Sequence, residues 1–536
     1  MEKKVYARAA SGLVREAGLL DVTVLNYGFT GASFSICLAF MISQSMWAYP
    51  GCDFGIAQMI TLVLTVLASA LAYSLLSIAM PRAGGDYIYV SRTIYPSIGF
   101  ATNFTVAIML SFFVAWGSYW GAGMALSNLL TILGYMLNNA TLVSWGVAVA
   151  TREGLFITST ILIVLFGLLC ISGLRWFFRF CVLAFVVGSI GMIMGWAMSL
   201  TNDVSTFASK FNQFMLLFTT KPDYFHEAIK VAKDAGFTPD PGFSWCATLM
   251  ILPIVAFSSL YAYGSAYIGG EVKEARKSQI YGMVLGLALL AVFNSITYWL
   301  IVNSAGYEFL SAINWLYWGG GPLELPLWPY FNLFMMIMSA NVGVAALIGL
   351  GFFLLSVLFV PMNMILITRM IFSWAFDRVM PSKLAEVHER THSPVNAIIA
   401  VCVIAELFLA IYTYTPWFTT LSGIMGCLFA YLMVGITALI FPFKAKSIYE
   451  ASPSIVRYKL GKIPAISILG VIATVYFGYV ICSYLVNPLY LVNSPESLTI
   501  VFGTLIGGFI IFYLARAYRK RQGIDIDLAY AEIPPE

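Results

Sequence analysis

The sequence predicts an all-α integral membrane protein with twelve transmembrane helices, and three observations predict it. Of the 536 residues, 60% are hydrophobic and only 10% charged, whereas a soluble domain carries about a quarter charged residues. Uncharged runs long enough to cross a hydrocarbon core, which takes about 20 residues, recur along the whole chain. When those runs are threaded alternately across a bilayer, the 29 lysines and arginines segregate. All but Arg152, Lys210, Lys221, Lys230 and Lys233 fall on one side, the bias expected of cytoplasmic loops.

The spans follow in order. Residues 1–21 form a cytoplasmic N-terminal segment. Lys3, Lys4, Arg8 and Arg15 alternate there with Glu2, Glu16 and Asp21, so no cleavable signal is expected. The transmembrane domain covers 22–515. Its first five spans lie in 22–202, within runs 22–52, 54–81, 97–126, 154–174 and 180–202. Residues 127–154 are assigned to a loop with semi-apolar turns, because Asn138, Asn139 and Thr141 interrupt the apolar pattern. Residues 203–243 form the large extracytoplasmic loop. Spans 6–10 lie in 241–443: 241–270, 278–307, 325–368, 394–412 with the acid Glu406, and a tenth that ends at 443. Residues 369–392 alternate basic and apolar positions as an interfacial helix would. Spans 11 and 12 occupy 463–515, and 516–536 is a cytoplasmic tail with a loose end.

Several function classes are excluded. A net charge of +4, dispersed along the chain, implies no nucleic-acid partner. The eight cysteines show no CxxC, and most sit in apolar runs as small buried hydrophobes. Cys52 and Cys246 lie near outer span ends, where a disulfide is conceivable. His226, His388 and His392 are all in loops, so no metal site and no cofactor are expected. The sequence shows no paired acids, no His/Cys set and no nucleotide motif at a membrane edge, and it lacks the symmetric filter repeat of a channel. No catalytic residue is assigned.

Three segments resemble the amino acid–polyamine–organocation permeases. The first is Met80-Pro81-Arg82-Ala83-Gly84-Gly85-Asp86-Tyr87, after the second span. The second is Gly270-Glu271-Val272-Lys273-Glu274-Ala275-Arg276-Lys277, after the sixth. The third runs from Arg369 through Asp377-Arg378-Val379-Met380-Pro381 to His388 and Pro394. The Pro-x-x-Gly-Gly turn reads as structural and gating, since Pro lacks a donor and Gly accepts positive φ. The acids and bases from Glu271 to Lys277 read mainly as a solvated inner rim. The resemblance implies a five-plus-five inverted repeat (LeuT-like) with two additional helices. It also implies a ligand held where the first and sixth spans break near mid-membrane.

In the first span the flexible stretch is Gly28-Phe29-Thr30-Gly31-Ala32-Ser33. The resemblance therefore makes Gly28, Thr30, Gly31, Ala32 and Ser33 substrate-site candidates. The family's second glycine is missing here. In the sixth span the break falls near Phe257-Ser258-Ser259-Leu260-Tyr261, which adds Phe257 as an aromatic lid, with Ser258, Ser259 and Tyr261. The acid that relatives often carry nearby lands on Tyr263, so nothing is ready to pair with a second positive charge on a substrate. Tyr27 and Trp116 read as core or lipid-facing.

Together these imply a secondary active amino acid permease of the cell membrane, with a neutral amino acid expected as substrate and membrane lipids around it. The alternatives are an exchanger or an amine or organic cation carrier of the same superfamily. Coupling to H+ or Na+ stays open. Run 180–202 has no lysine at the cation position, Ser356 and Asn363 offer oxygens in the eighth span, and Glu406 is titratable.

Overall fold

The computed structural model describes residues 13–29, 46–238, 242–259, 263–319, 321–415, 417, 420–488 and 492–530. In chain order the main helices begin with α1 (Leu19–Tyr27), α2 (Phe54–Ala79), α3 (Asp86–Thr93), α4 (Pro96–Met136), α5 (Ala140–Val149) and α6 (Arg152–Ile171). Then come α7 (Leu174–Thr201), α8 (Val204–Met215), α9 (Tyr224–Asp234), α10 (Trp245–Phe257), α11 (Ala275–Ala305) and α12 (Tyr307–Gly319). The last six are α13 (Phe331–Met338), α14 (Val342–Phe376), α15 (Val395–Tyr414), α16 (Thr420–Lys444), α17 (Ala465–Val486) and α18 (Pro495–Arg521). Among the described residues ten of these are long and apolar enough to cross a membrane: α2, α4, α6, α7, α11 and α14 to α18.

Local chemistry sets the helix starts. The Asp53 carboxylate accepts the Ile56 N–H at 2.8 Å to begin α2, and the Thr151 hydroxyl accepts from Gly154 to begin α6. Asn341 caps α14, and Ser494 caps α18 ahead of Pro495. Each satisfies an amide that would otherwise be orphaned at a helix end. Side chains such as Leu183, Val475 and Leu514 stay more than three-fifths exposed. That is the outer surface expected of a bundle whose solvent is hydrocarbon.

Extensive contacts join α16 to α17, α7 to α14 and α1 to α11. In the last pair Gly282 and Gly286 let the backbones approach. A Cβ on Gly286 would lie 3.0 Å from the Asn26 Cβ, so a small residue is needed there.

Three expectations need correction. Residues 127–136 are not loop but the end of α4, and 140–149 form α5, which packs back on it. Ser127 donates to the Gly146 carbonyl and Asn128 to the Trp328 carbonyl, while Asn139, one of the residues read as an interruption, caps α5. The segment beginning at Arg369 is not an interfacial helix: residues 369–376 are the buried end of α14. The tail is not loose throughout, because Ile526, Ala529 and Tyr530 are buried. The Tyr530 hydroxyl is 2.9 Å from that of Tyr87, and the Arg92 guanidinium lies over the Tyr530 ring. The loop 203–243 holds two helices, α8 and α9. Cys52 and Cys246 are both free thiols.

Contacts gather the start of α1, the loop 80–95, residues 267–277, the end of α14 and the tail on one face. Arg519 donates to the Arg378 and Met380 carbonyls, and Arg92 pairs with Asp377 at 2.6 Å. This side is the basic face.

Candidate functional site

The helical path of α10 stops at Phe257. Ser258 and Ser259 close with i→i+3 bonds to Val255 and Ala256. From Tyr263 the chain makes only 3-10 turns, Gly264–Ala266 and Gly269–Glu271, before α11 begins. Unwound backbone inside a membrane needs polar partners; buried carboxamides bond the serine hydroxyls at the end of α10 and the Ser265 backbone beyond it. Gln58 of α2 donates to the Ser259 Oγ at 2.7 Å and accepts from the Ser258 Oγ at 2.7 Å. Asn294 of α11 donates to the same Gln58 oxygen. Beyond the gap, Asn26 of α1 accepts the Ser265 N–H at 2.9 Å and donates to its Oγ at 3.0 Å. Gln279 accepts from that hydroxyl at 2.6 Å and donates to the Ser265 carbonyl. All four carboxamides are buried. They are a part of the site that sequence reasoning passed over, although a Gln or Asn inside an apolar run, expensive to bury alone, was the available signal.

The first span is described as far as Phe29. Gly28 is buried against α14: a Cβ there would run into the Met362 side chain and lie 3.1 Å from Leu358 Cδ2. Leu358 is where α14 itself is interrupted. Phe29 meets Tyr263 edge-on at 5.9 Å, and a Cβ on Gly264 would lie 2.8 Å from its ring. The end of α1 and the unwound part after α10 therefore touch. Phe257 is buried with ring centroids 6.2 Å from both Phe113 and Trp116 of α4, which also face Phe359 of α14. Trp116 and Tyr27 are core residues. Of the candidates, Gly28, Phe257, Ser258 and Ser259 thus lie in this region. Thr30, Gly31, Ala32, Ser33 and Tyr261 lie outside the described residues.

Toward the basic face the region is closed in layers. Tyr263 stacks on Tyr73 at 4.0 Å and meets Tyr431 edge-on at 4.9 Å. Below it, Gly84 and Gly85 have positive φ, and Gly84 N–H donates to the Tyr267 carbonyl. A Cβ on Gly85 would lie 2.7 Å from the Tyr267 ring, so the Pro-x-x-Gly-Gly turn is moulded to the segment after the break. The final layer is a bidentate pair in which Arg369 Nε and Nη2 each donate to a Glu271 oxygen at 2.8 Å. Both side chains are at most 2% exposed, so Glu271 is no solvated rim residue, contrary to the sequence expectation. The Glu271 carbonyl accepts from Glu16 and Ala17, tying the start of α1 to this layer.

The buried acids of the basic face are engaged: Glu271 by Arg369, Asp377 by Arg92 and Tyr87, and Asp86 by the Asn103 amide at 2.9 Å. Asp86 lies on the connection between α2 and α4, outside the membrane-spanning helices, and burial pushes its carboxyl up to about 6 against hydrogen bonds that pull it down. Glu406 of α15 accepts from Thr160 of α6 at 3.0 Å, away from both breaks. In α14, Asn363 donates to the Phe359 carbonyl while its Oδ1 has no hydrogen-bond partner among the described residues. Among the described residues no three His, Cys, Asp or Glu side chains cluster as metal ligands would.

No curated protein matches the chain. The amino acid permease family model, by contrast, matches it over residues 19–511, from the first turn of α1 to the last third of α18. With a broken α10, the turn moulded to it and a matching family model over nearly its whole length, the chain belongs to the amino acid permeases of the amino acid–polyamine–organocation superfamily, transporters rather than enzymes.

Proposed function

We propose that the protein carries a neutral amino acid across the cell membrane by alternating access, with the ligand held between the break in the first span and the break after Phe257. The observation that carries this reading is the contact of Phe29 with Tyr263 and Gly264, which joins the described end of the first span to the unwound segment after α10. Helix ends left open there would meet the substrate's carboxylate and ammonium. The layers from Tyr263 to Glu271–Arg369 are then the closed inner side. The remaining two of twelve crossings would come from the span that begins at Leu19 and from 245–271, with five-plus-five helices in inverted repeat, two further helices and both termini cytoplasmic. Coupling to H+ or Na+ belongs to the same proposal, with the Asn363 Oδ1, unbonded among the described residues, as one oxygen available to a cation.

Neutrality of the substrate is supported by the state of the acids. Glu271 and Asp377 are already paired with arginines, and Asp86, held by the Asn103 amide, sits where burial favours its neutral form, so an extra guanidinium would lose its hydration without gaining a ready pair. The test is uptake by purified protein in liposomes, with a panel of labelled amino acids and imposed sodium or proton gradients. Neutral zwitterions should be taken up and compete with one another, and one of the two gradients should accelerate uptake. Arginine and polyamines should not compete. Strong inhibition by arginine would overturn the substrate assignment.

A further inference from the structure

We propose that a groove on the basic face, between α1, α7 and the segment at Lys273, binds the headgroup of an anionic phospholipid from the adjoining leaflet. The groove measures about 570 Å³ and is contributed by the start of α1, the first three turns of α7 and Lys273. Three cations line it, Arg175, Arg179 and Lys273, against two acids, Glu16 and Asp21. Both acids are occupied: Glu16 pairs with Arg175 at 3.1 Å, and Asp21 accepts the Gly18 N–H at 2.9 Å to cap α1. Among the described residues Arg179 and Lys273 have no carboxylate partner. Arg179 rests its face on the Trp176 ring at 4.8 Å, a contact that leaves the donors at the guanidinium edge available.

The shape selects an amphiphile. Val182, Leu183 and Val186 follow Arg179 along α7, so at 1.5 Å per residue the apolar wall runs roughly 10 Å deeper than the charge. Leu183 and Val186 are 62% and 47% exposed, and Leu20 across the groove is 58% exposed. A free phosphate would leave that wall bare, whereas an acyl chain covers it. The chain's own first twelve residues are a poor occupant, since Lys3, Lys4 and Arg8 outnumber Glu2 and would repel Arg179 and Lys273.

The position gives the lipid a consequence, which rests on the alternating-access reading above. Lys273 N–H donates to the Ala17 carbonyl, and Ala17 N–H to that of Glu271. The groove therefore abuts the inner ends of the first and sixth spans, and an occupant there would hold them together.

The experiment uses full-length protein reconstituted with phosphatidylcholine plus a minor fraction of phosphatidylglycerol, then extracted in mild detergent and weighed intact by mass spectrometry. Wild type should retain one phosphatidylglycerol in clear excess over phosphatidylcholine. The double variant Arg179→Gln/Lys273→Gln, with a thermal melt like wild type, should lose that preference at least about threefold. Arg457→Gln/Lys462→Gln, exposed charges on the α16–α17 connection, should keep it. Equal retention by wild type and the groove variant overturns the site, as does displacement by soluble glycerol phosphate as readily as by short-chain phosphatidylglycerol. If the groove variant fails to fold, Leu183→Trp, which fills the apolar wall from a lipid-facing position, serves instead and should also lose the preference. Uptake in liposomes with and without phosphatidylglycerol tests the consequence: wild type should respond and the groove variant should not. Retention without any change in uptake would keep the site and overturn its link to the broken spans.

Discussion

Arg369 and Glu271 show how burial changes the meaning of a charge. Each removed from water alone would cost several kcal/mol, and only their bidentate geometry repays it. Glu271→Gln should therefore destabilise the protein by about 3–5 kcal/mol, because it strands the arginine. Glu271→Gln combined with Arg369→Met should recover much of the loss, as read from thermal melts of the three variants in one detergent. A double variant no more stable than the single one would mean that Arg369 draws its support from elsewhere. Asp86 presents the opposite case, a carboxyl whose neutral form the fold favours. Its folded value of about 6 stands above the ordinary 3.8, so folding takes up a proton between those values, and stability falls as pH rises through 6. Asp86→Asn should melt higher than wild type at pH 7.5, by the equivalent of about 3 kcal/mol, and the gain should vanish as pH falls toward 4. A gain that is the same at both pH values would remove ionisation as its cause.

At the scale of elements, α10 is held open by side chains from its neighbours. Gln58 engages Ser258 and Ser259 before the gap, and Asn26 with Gln279 engages Ser265 after it. Gln58→Met keeps the volume and removes the bonds to Ser258, Ser259 and Asn294. Buried hydroxyls left without their partner cost about 1–3 kcal/mol, and here the cost should be felt at the break. The expected result is a rise in KM of tenfold or more with kcat little changed, together with a modest drop in Tm. An unchanged KM with a lowered Tm would make Gln58 a packing residue only. The break was placed by the family resemblance, which anchors it ahead of Gly270-Glu271, near the turn-prone Ser258-Ser259 where α10 does stop. Its partners were not, since Gln58 lies 200 residues from Ser258 and no local pattern links them. The extent of α4 was misread for a related reason. Asn138 and Asn139 do end the helix, but 127–136 stay helical, with Ser127 and Asn128 donating to the Gly146 and Trp328 carbonyls.

For the whole molecule, the basic face collects the loop 80–95, the end of α14 and the buried Tyr530 of the tail. The charge bias assigns this face to the cytoplasm, which labelling can check. With the exposed thiols of Cys246 and Cys482 and the other native cysteines replaced, a cysteine at the exposed position Lys277 should be blocked only from the inside. One at the exposed position Thr220 should be blocked only from the outside. Reaction of position 220 from the inside would overturn the threading. The sequence by itself determined that this is a multi-span helical membrane protein and, through the family resemblance, roughly where the sixth span breaks. Those properties follow from summed transfer free energies and from short motifs, which are local and additive. Only the tertiary structure decided that α14 continues past Arg369, that Glu271 is buried, and that four carboxamides flank the unwound chain. The physical reason is that a polar group inside a bilayer takes its meaning from its partner, and here the partners lie 14 to 239 residues apart in the chain.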